Sequence, residues 1–261
     1  MDPKLMGVVN VTPDSFSDGG RYLDEAAAIE HGEKLVGDGA AILDIGGEST
    51  RPGAVEVDAD EELRRVIPVV EGLTGEATVS VDTSKSVVAE AAIDAGASIV
   101  NEVTALRGDP AMAALCAERG VGVVLMHMPG NPRTMQENPT YADVVDEIKA
   151  FLVERMEAAV AAGIDEERIW LDPGIGFGKT VEHNLELLRR LGELRELGRP
   201  LAIGTSRKSF IGRIDGSGVD ERIGGTIASS VLAAVEGADV LRVHDVAEIA
   251  QAMRVANAIL G

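Results

Sequence analysis

The sequence predicts an α/β protein with the (β/α)8 TIM-barrel fold. Short apolar runs alternate along the chain with amphipathic stretches at helical spacing, as expected for repeated strand–helix units. The apolar runs are nearly continuous, which suits parallel strands buried on both faces, and 261 residues accommodate eight such units. A doubly wound open sheet uses the same alternation but more often has fewer strands. No stretch rich in proline, glycine or serine divides the chain, so we predict one domain over residues 1–261.

Eight segments have the length and composition of buried strands. Each is short, rich in Val, Ile and Leu, and bounded by glycine or polar residues. In chain order they are LMGVVN, AILDIG, TVSVD, SIVN, VGVVLMH, IWLD, LAIGTS and VLRVHD.

The segments that follow these strands predict helices. They are rich in alanine and glutamate, and their apolar residues recur every three or four positions. The predicted helices lie at about 24–37, 59–72, 84–95, 109–119, 142–162, 182–197, 220–236 and 246–260.

Every predicted strand carries a hydrogen-bonding side chain at or near its C-terminal end. In a barrel these ends meet at one face, where the loops that follow the strands build the active site. Single residues of this kind can instead cap a strand or a helix, and Asp82 and Ser206 are the fairest candidates for that role. The eight residues are Asn10, Asp44, Asp82, Asn101, His127, Asp172, Ser206 and His244.

Loop length also distinguishes the two ends of the predicted barrel. The connections from helix to strand are brief, such as Gly96-Ala97 and Arg119-Gly120. The loops after strands 1, 2, 5 and 6 are long, which is typical of loops that carry function. They contain NVTPDSFSDGG, GGESTRPGA, MPGNPRTMQENPTY and PGIGFGKT.

Composition excludes several classes of function. With 44 acidic and 24 basic residues the formal charge is −20, so nucleic acid is not expected as a partner. Six of the basic residues are lysine, and this acidic, lysine-poor composition indicates adaptation to high salt or an ordinary acidic cytosolic protein. Cys116 is the single cysteine, which argues against a disulfide framework. No apolar run has membrane-spanning length and the first residues lack a signal-peptide pattern, so we expect a cytoplasmic protein.

Several familiar catalytic motifs are absent. The segment PGIGFGKT resembles a nucleotide P-loop, but Pro173 stands where the motif requires glycine, so a glycine turn before a helix is the better interpretation. The four histidines form no H-E-x-x-H zinc motif, and no G-x-S-x-G nucleophile motif is present.

The polar residues at the predicted barrel face form a mixed electrostatic set. Asp82 and Asp172 could accept hydrogen bonds from a planar ligand edge rich in N–H donors. Lys208 and Ser209 begin the helical region after strand 7, where barrels often bind phosphate or carboxylate. The residues therefore predict a ligand with a donor-rich heterocycle and at least one anionic group. The candidates for the anion site are Asn10, Thr50, Arg51, Ser206, Arg242 and His244.

Together these motifs resemble the dihydropteroate synthase family. The resemblance extends over residues 7 to about 246, in family order, and two departures are visible: Glu102 where the family usually has aspartate, and a short acidic link IDGSGVDERIGGT. The matching segments are NVTPDSFSDGG, DIGGESTRPGA, VDTSK, MHMPGNPRTMQENPTY, LDPGIGFGKTVEHNLELL, GTSRKSFIG and RVHDV.

The resemblance implies a pterin-binding barrel that joins 6-hydroxymethyl-7,8-dihydropterin pyrophosphate to p-aminobenzoate, in folate biosynthesis. Pyrophosphate leaves first in a dissociative, Mg²⁺-assisted substitution, and the amine then attacks the resonance-stabilised pterin cation. No enzyme nucleophile is needed, which agrees with the absence of a catalytic triad.

By the same resemblance the pterin edge is bound by polar strand-end residues, with Arg242 stacked on the ring. Adjacent N–H donors of the amino-pyrimidine suit a buried carboxylate, and a guanidinium stacks well on a planar heterocycle. The residues implied for the pterin are Asp82, Asn101, Asp172, Lys208 and Arg242.

The resemblance assigns the remaining residues to the pyrophosphate and to p-aminobenzoate. Asn10 is implied as a ligand of Mg²⁺, and residues 10–20 as this ligand followed by a mobile lid. Pyrophosphate binding is implied for Asn10, Arg51, Ser206, Arg242 and His244, p-aminobenzoate binding for Thr50, Pro52, Phe177 and Ser209, and catalytic roles for Asp18, Arg51, Lys208 and His244.

Two other functions are compatible with a pterin-binding barrel. A corrinoid methyltransferase would share the pterin carboxylates but has no need of the Thr50-Arg51-Pro52 and Ser206-Arg207-Lys208 blocks. A non-catalytic pterin-binding protein would be expected to have lost lid or metal residues, yet Asn10 and Asp18 are present. Family members are commonly homodimers, and the apolar, alanine-rich last helices permit that assembly.

Overall fold

The computed structural model describes residues 2–12, 20–49, 57–131 and 134–261, with the backbone alone for residues 20–24. Eight parallel strands in these ranges follow one another in sequence around a barrel. Their bounds are β1 Lys4–Asn10, β2 Ile42–Gly46, β3 Thr78–Asp82, β4 Ile99–Glu102, β5 Gly122–Met126, β6 Ile169–Asp172, β7 Ala202–Ile203 and β8 Val240–Val243.

The sheet closes on itself. The hydrogen-bonded order is β6-β5-β4-β3-β2-β1-β8-β7, so that β6 and β7 are its two ends. A parallel bridge between Leu171 and Leu201 joins these ends, and the Leu171 N–H donates to the carbonyl of Pro200 at 2.9 Å. The predicted (β/α)8 barrel is confirmed.

Helices cover the outside of the barrel, and none of those in the described residues is long and apolar enough to cross a membrane. Single-turn 3-10 segments lie before β6 and before α8, and a longer one follows α6. The helix bounds are α1 Gly20–Gly37, α2 Ala59–Leu73, α3 Ser86–Asp94, α4 Met112–Arg119, α5 Val144–Ala161, α6 Val181–Arg189, α7 Ser209–Asp215, α8 Ile223–Val235 and α9 Val246–Leu260.

The structure differs from the predicted elements mainly around β7. This strand has two residues, because the chain leaves the sheet at Gly204 and the hydroxyls of Thr205 and Ser206 bond to side chains of other elements. A separate short helix, α7, then precedes α8. The predicted helix 182–197 also ends early, since α6 stops at Arg189 and continues as a 3-10 segment.

Two apolar layers stabilise the fold. The larger one lies between the strands and the helices and contains most of the buried Val, Leu and Ile residues. The smaller one fills the barrel interior toward the N-terminal ends of the strands, with Trp170 packed against it. Its buried members are Met6, Ile42, Ile99, Val124, Ala202 and Val240.

Candidate active site

Four of the polar residues in the barrel strands form one bonded cluster. The Arg242 guanidinium lies 2.5 Å from Asp44 through Nε and donates from Nη2 to Asp82 at 2.8 Å. Asn101 donates from Nδ2 to the same Asp44 oxygen at 3.0 Å. Asp44 is fully buried and therefore fixes the orientation of both Arg242 and Asn101.

Strand periodicity explains why these side chains meet. Side chains two positions apart on a strand point to the same face of the sheet. Asp44 and Asn101 each lie two residues after a member of the inner apolar layer, Ile42 or Ile99. Arg242 follows Val240 in the same way. The barrel interior therefore changes from apolar to polar over two residues along each of these strands.

Burial destabilises the charged forms of Asp82 and Asp172, the two carboxylates expected to bind the pterin. Burial raises the pKa of Asp82, an effect that the neighbouring Arg242 opposes. Burial also raises the pKa of Asp172, and the Gly174 N–H, 2.7 Å from Asp172 Oδ1, opposes it together with the charge of Lys208. A ligand that brings further N–H donors would stabilise both carboxylates in their charged form.

A pocket that is open to solvent lies above the cluster. One wall is apolar and consists of Val103, Met126, Ile175 and Phe177. The polar residues are those expected at the pterin edge, namely Asp82, Asn101, Asp172, Lys208 and Arg242, so the structure brings all five together.

Ser206 and His244 form a hydrogen-bonded pair at the ends of β7 and β8. The His244 backbone N–H donates to Ser206 Oγ at 3.2 Å, and the same hydroxyl lies 2.9 Å from His244 Nδ1. Burial and the charge of Arg242 lower the pKa of His244 to about 3, so its ring is neutral at pH 7 in the empty pocket. The expected role of this pair in pyrophosphate binding stays a prediction, and it would rest on hydrogen bonding rather than on a histidine charge.

Lys208 and Phe177 approach each other at the pocket edge. The Lys208 ammonium lies 4.0 Å from the centroid of the Phe177 ring, a cation–π contact. Ser209 is the exposed first residue of α7 and directly follows Lys208. The p-aminobenzoate assignment of Phe177 and Ser209 stays a prediction.

The capping interpretation of the strand-end aspartates and of Ser206 is wrong. Thr180 caps α6, while Asp172 accepts from Gly174 in the preceding loop. Helix α3 has Lys85 at its N-cap, and Asp82 instead bonds to Arg242. The Ser206 hydroxyl bonds to His244, as described above.

His127 is a strand-end residue that packs away from the pocket. Its ring packs edge-on against Phe151, with 4.8 Å between the centroids, and Nδ1 lies 3.1 Å from the Lys179 ammonium. Lys179 is almost fully buried and donates to the Phe177 carbonyl at 2.8 Å. Burial lowers the pKa of Lys179 to about 7. The pair of His127 and Lys179 therefore supports the glycine-rich loop on the side away from the pocket.

The glycine-rich loop after β6 is a turn that only glycine can make at two points. Gly174 has φ 68°, and a β-carbon there would lie 2.0 Å from the His127 carbonyl oxygen. Gly178 has φ 60°, and its β-carbon would lie 2.1 Å from Pro129. The loop then enters α6, as the glycine-turn interpretation predicts.

Comparison with known proteins decides the family. The model of the family described as pterin binding enzyme matches residues 6–244. Dihydropteroate synthase of Escherichia coli strain K12 is 48% identical over 260 residues, which cover 99% of this chain and 92% of that protein. The chain belongs to the dihydropteroate synthase family.

Solved structures agree with this assignment. A structure of Xanthomonas albilineans dihydropteroate synthase with 4-aminobenzoic acid is 50% identical, with a TM-score of 0.94 and coverage of 99% of this chain and 93% of that one. A second structure of that enzyme, in complex with 7,8-dihydropteroate, is 48% identical with a TM-score of 0.90, covering 99% and 94%.

Four residues that the family resemblance assigns lie outside the described part of the chain. They are Asp18, Thr50, Arg51 and Pro52, and most of the expected lid lies outside it as well. Their roles stay predictions. Asn10 is described and lies at the C-terminal end of β1, beside Gly46 of β2.

The magnesium ion that the family resemblance assigns to Asn10 stays a prediction. Within the described ranges no group of three or more His, Cys, Asp or Glu residues could hold a metal. The Asn10 side chain offers one amide oxygen, a hard donor of the kind that Mg²⁺ accepts beside water and phosphate oxygens. Asn10 would hold such an ion, which would stabilise the negative charge of a departing pyrophosphate.

Two residues in and behind the site, Asp44 and Lys179, have no role that the sequence predicts. Asp44 is a strand-end polar residue, and its position two residues after Ile42 indicates that it faces the interior. Lys179 gave no signal beyond its place in PGIGFGKT. Glu102, the departure from the family pattern, accepts from the Thr104 N–H at 3.0 Å and from the Leu106 N–H, so it shapes the next loop.

Proposed function

We propose that the chain catalyses the family reaction: 6-hydroxymethyl-7,8-dihydropterin pyrophosphate and p-aminobenzoate give 7,8-dihydropteroate and pyrophosphate. The observation that carries this proposal is the pocket in which Asp82, Asn101, Asp172, Lys208 and Arg242 converge. Its polar groups match the donor-rich edge of a pterin, and the relatives bound to 4-aminobenzoic acid and 7,8-dihydropteroate support the choice of substrates.

The carboxylates and the amide of the pocket would orient the pterin. Asp172 and Asp82 accept N–H donors of the amino-pyrimidine, and Asn101, fixed by Asp44, presents its amide to the same edge. The Arg242 guanidinium is held by two carboxylates, so it offers a planar surface for stacking without having to reorganise.

Bond breaking would occur on the side of Ser206 and His244. The bond between the pterin methylene carbon and the pyrophosphate oxygen breaks, and its electron pair leaves with the pyrophosphate. Because Ser206 Oγ and His244 Nδ1 are bonded to each other, the pair has one proton left to donate to this anion, from the Ser206 hydroxyl or from His244 Nε2 according to the tautomer, and Lys208 supplies charge. The buried carboxylates Asp82 and Asp172 stabilise the pterin cation that remains.

The second substrate would complete the reaction without an enzyme nucleophile. The amine nitrogen of p-aminobenzoate attacks the methylene carbon, forms the new C–N bond and loses one proton. Phe177 supplies an apolar surface beside the Lys208 ammonium, which suits an aromatic ring with a carboxylate.

A pyrophosphate-release assay tests this proposal. Release is expected only when dihydropterin pyrophosphate, p-aminobenzoate and Mg²⁺ are all present, with one dihydropteroate formed for each pyrophosphate released. Binding of the pterin without release would indicate a non-catalytic pterin-binding protein. Methyl transfer from a methyl-pterin to a corrinoid, with no release, would indicate the methyltransferase.

We also propose that the chain forms a homodimer through α8 and α9. Large apolar side chains on these helices are exposed in the described chain, and such exposed residues on neighbouring helices indicate an interaction surface. They are Leu232, Val235, Val255, Ile259 and Leu260.

Sedimentation of two variants tests the dimer. Leu232→Glu places a charge on the proposed surface and should give monomers, whereas Val160→Glu changes an exposed apolar residue of α5 and should leave the dimer intact. A monomeric parent protein at micromolar concentration would contradict the dimer.

A further inference from the structure

The turn between β7 and α7 contains a residue in an unfavourable backbone conformation. Arg207 has φ 56°, in the left-handed region that residues with a β-carbon rarely adopt. Such a conformation persists where the surrounding structure holds it, and it is commonly found at functional sites. The contacts of Arg207 show what holds it here.

Two backbone contacts tie Arg207 to the region of α8. Its N–H donates to the hydroxyl of Thr226, which is fully buried, at 3.0 Å. Its carbonyl accepts from Arg222 Nη1 at 3.0 Å. Both polar groups of this peptide segment are therefore satisfied by side chains outside the turn.

The Arg207 side chain makes a third contact, to the loop after β8. Nε donates to Asp245 Oδ2 at 3.0 Å and Nη2 to Asp245 Oδ1 at 2.6 Å, a bidentate arrangement. Asp245 raises the pKa of Arg207, and Arg207 in turn lowers the pKa of Asp245, so both groups are charged at pH 7.

The residues on both sides of Arg207 belong to the candidate site. Ser206 bonds to His244, which immediately precedes Asp245, so adjacent residues of one loop pair with adjacent residues of the other. Lys208 lines the pterin pocket, which Arg207 does not. A rotation of the Arg207 backbone would therefore displace the Ser206 hydroxyl and the Lys208 ammonium together.

We propose that Arg207 is a positioning residue that, held by Asp245 and Thr226, keeps the turn in its left-handed conformation and so aims Ser206 and Lys208 at the substrate. This inference rests on the proposed function, since it assigns Ser206 to the leaving pyrophosphate. Arg207 is not among the residues that line the pocket, so it acts through its two neighbours.

Substitutions at Arg207 separate the backbone conformation from the ion pair. Arg207→Ala removes the ion pair and keeps the β-carbon, so the turn relaxes and kcat should fall on the order of 100-fold, with a smaller change in KM for the pterin substrate. Arg207→Gly also removes the ion pair but adopts positive φ freely. It should recover about tenfold of the lost kcat.

Asp245→Asn tests the partner without changing the turn sequence. It removes the carboxylate that binds the Arg207 guanidinium through two hydrogen bonds, while Asp220 stays 3.7 Å from Nη1, and kcat should fall roughly tenfold. The double variant with Arg207→Gly and Asp245→Asn should have nearly the same kcat as Arg207→Gly alone, because both substitutions break the same ion pair. If Arg207→Ala does not fold, this pair of variants still decides the question.

Arg199→Ala is the matched control. Arg199 lies just before β7, at the opposite end of the barrel, and donates to the Glu166 carbonyl at 2.9 Å. Wild-type kcat is expected for this variant. Equal kcat in Arg207→Ala and Arg207→Gly, or wild-type kcat in Asp245→Asn, would overturn the positioning role.

Binding of inorganic pyrophosphate with Mg²⁺, measured by calorimetry, separates this inference from the proposed function. If the parent protein shows no synthase turnover, the proposed function fails. The positioning role then predicts a Kd for pyrophosphate raised about tenfold in Arg207→Ala and unchanged in Arg199→Ala. The same Kd in both variants would overturn it.

Discussion

The interior of the barrel consists of two layers, formed by residues two positions apart on the same strands. The layer toward the N-terminal ends is apolar, whereas the layer toward the C-terminal ends carries charges and amides. The pairs on a shared strand, lower residue first, are Ile42 and Asp44, Ile99 and Asn101, Trp170 and Asp172, and Val240 and Arg242.

This difference separates stability from function. The lower layer is stabilised by burial of apolar surface alone. The upper layer contains a buried carboxylate that is incompletely satisfied, since Asp44 Oδ1 has no hydrogen-bond partner in the described chain. Such groups reduce stability, so their presence indicates that the upper layer is built for a ligand.

The largest effect on turnover and stability is expected for Arg242, which bonds to two buried carboxylates of the upper layer. Arg242→Met should abolish most turnover and lower the free energy of unfolding by about 3–5 kcal/mol, because Asp44 and Asp82 are left buried without their counter-ion. Urea unfolding and steady-state kinetics measure the two effects. Unchanged stability would show that the Arg242 cluster is not held by these ion pairs.

The lower layer should respond in stability only. Ile99→Ala should lower the free energy of unfolding by about 2–5 kcal/mol through lost burial and a cavity, while kcat/KM of the folded fraction stays near the parent value. Ile99→Val is the graded control, with a cost of about 1 kcal/mol. A fall in kcat/KM as large as that in Arg242→Met would remove the distinction between the layers.

The free energy of unfolding should depend on the protonation of His127 as the pH falls. Burial lowers its pKa from 6.5 in the unfolded chain to about 2, so the unfolded chain alone takes up this proton as the pH falls. His127 therefore reduces stability below pH 6.5, by about 2 kcal/mol at pH 5. In His127→Gln this contribution to the pH dependence of the free energy of unfolding should be absent.

Urea unfolding of the parent and His127→Gln at pH 7 and pH 5 measures that difference. Buried carboxylates with raised pKa values act in the opposite sense, but they are common to both proteins and cancel in the comparison. The same loss of stability on acidification in both proteins would show that His127 is protonated in the fold.

The smallest effect on stability is expected for Asp172→Asn. Burial raises the pKa of Asp172, which means that the fold favours its neutral form, so a neutral amide of the same shape should leave the melting temperature unchanged or slightly higher. A clear fall in melting temperature would indicate that the charge of Asp172 stabilises the barrel.

Much of this organisation could be predicted from the sequence, because parallel strands and their polar ends leave a strong pattern. The barrel was predicted from apolar runs, and the convergence of Asp82, Asn101 and Asp172 from strand ends. His127 does not follow this rule, because Met126 before it lines the pocket and successive side chains on a strand point to opposite faces of the sheet.

Contacts between distant parts of the chain could not be predicted in this way. The bond from Asp44 to Arg242 spans 198 residues, and nothing in either segment specifies it. The left-handed conformation of Arg207 is also invisible in the sequence, because arginine rarely adopts it and the contacts that hold it come from α8 and from the loop after β8. The length of β7 depends on contacts of the same kind, from Thr205 to Ser230 and from Ser206 to His244.

Calorimetric titration with dihydropterin pyrophosphate tests the role of the upper layer most directly. The parent protein and folded Ile99→Ala should bind with the same affinity, whereas Asp172→Asn should bind on the order of 100-fold more weakly, because an amide cannot accept a charge-assisted donor pair. Equal affinity in the parent protein and Asp172→Asn would contradict the assignment of this layer to the pterin.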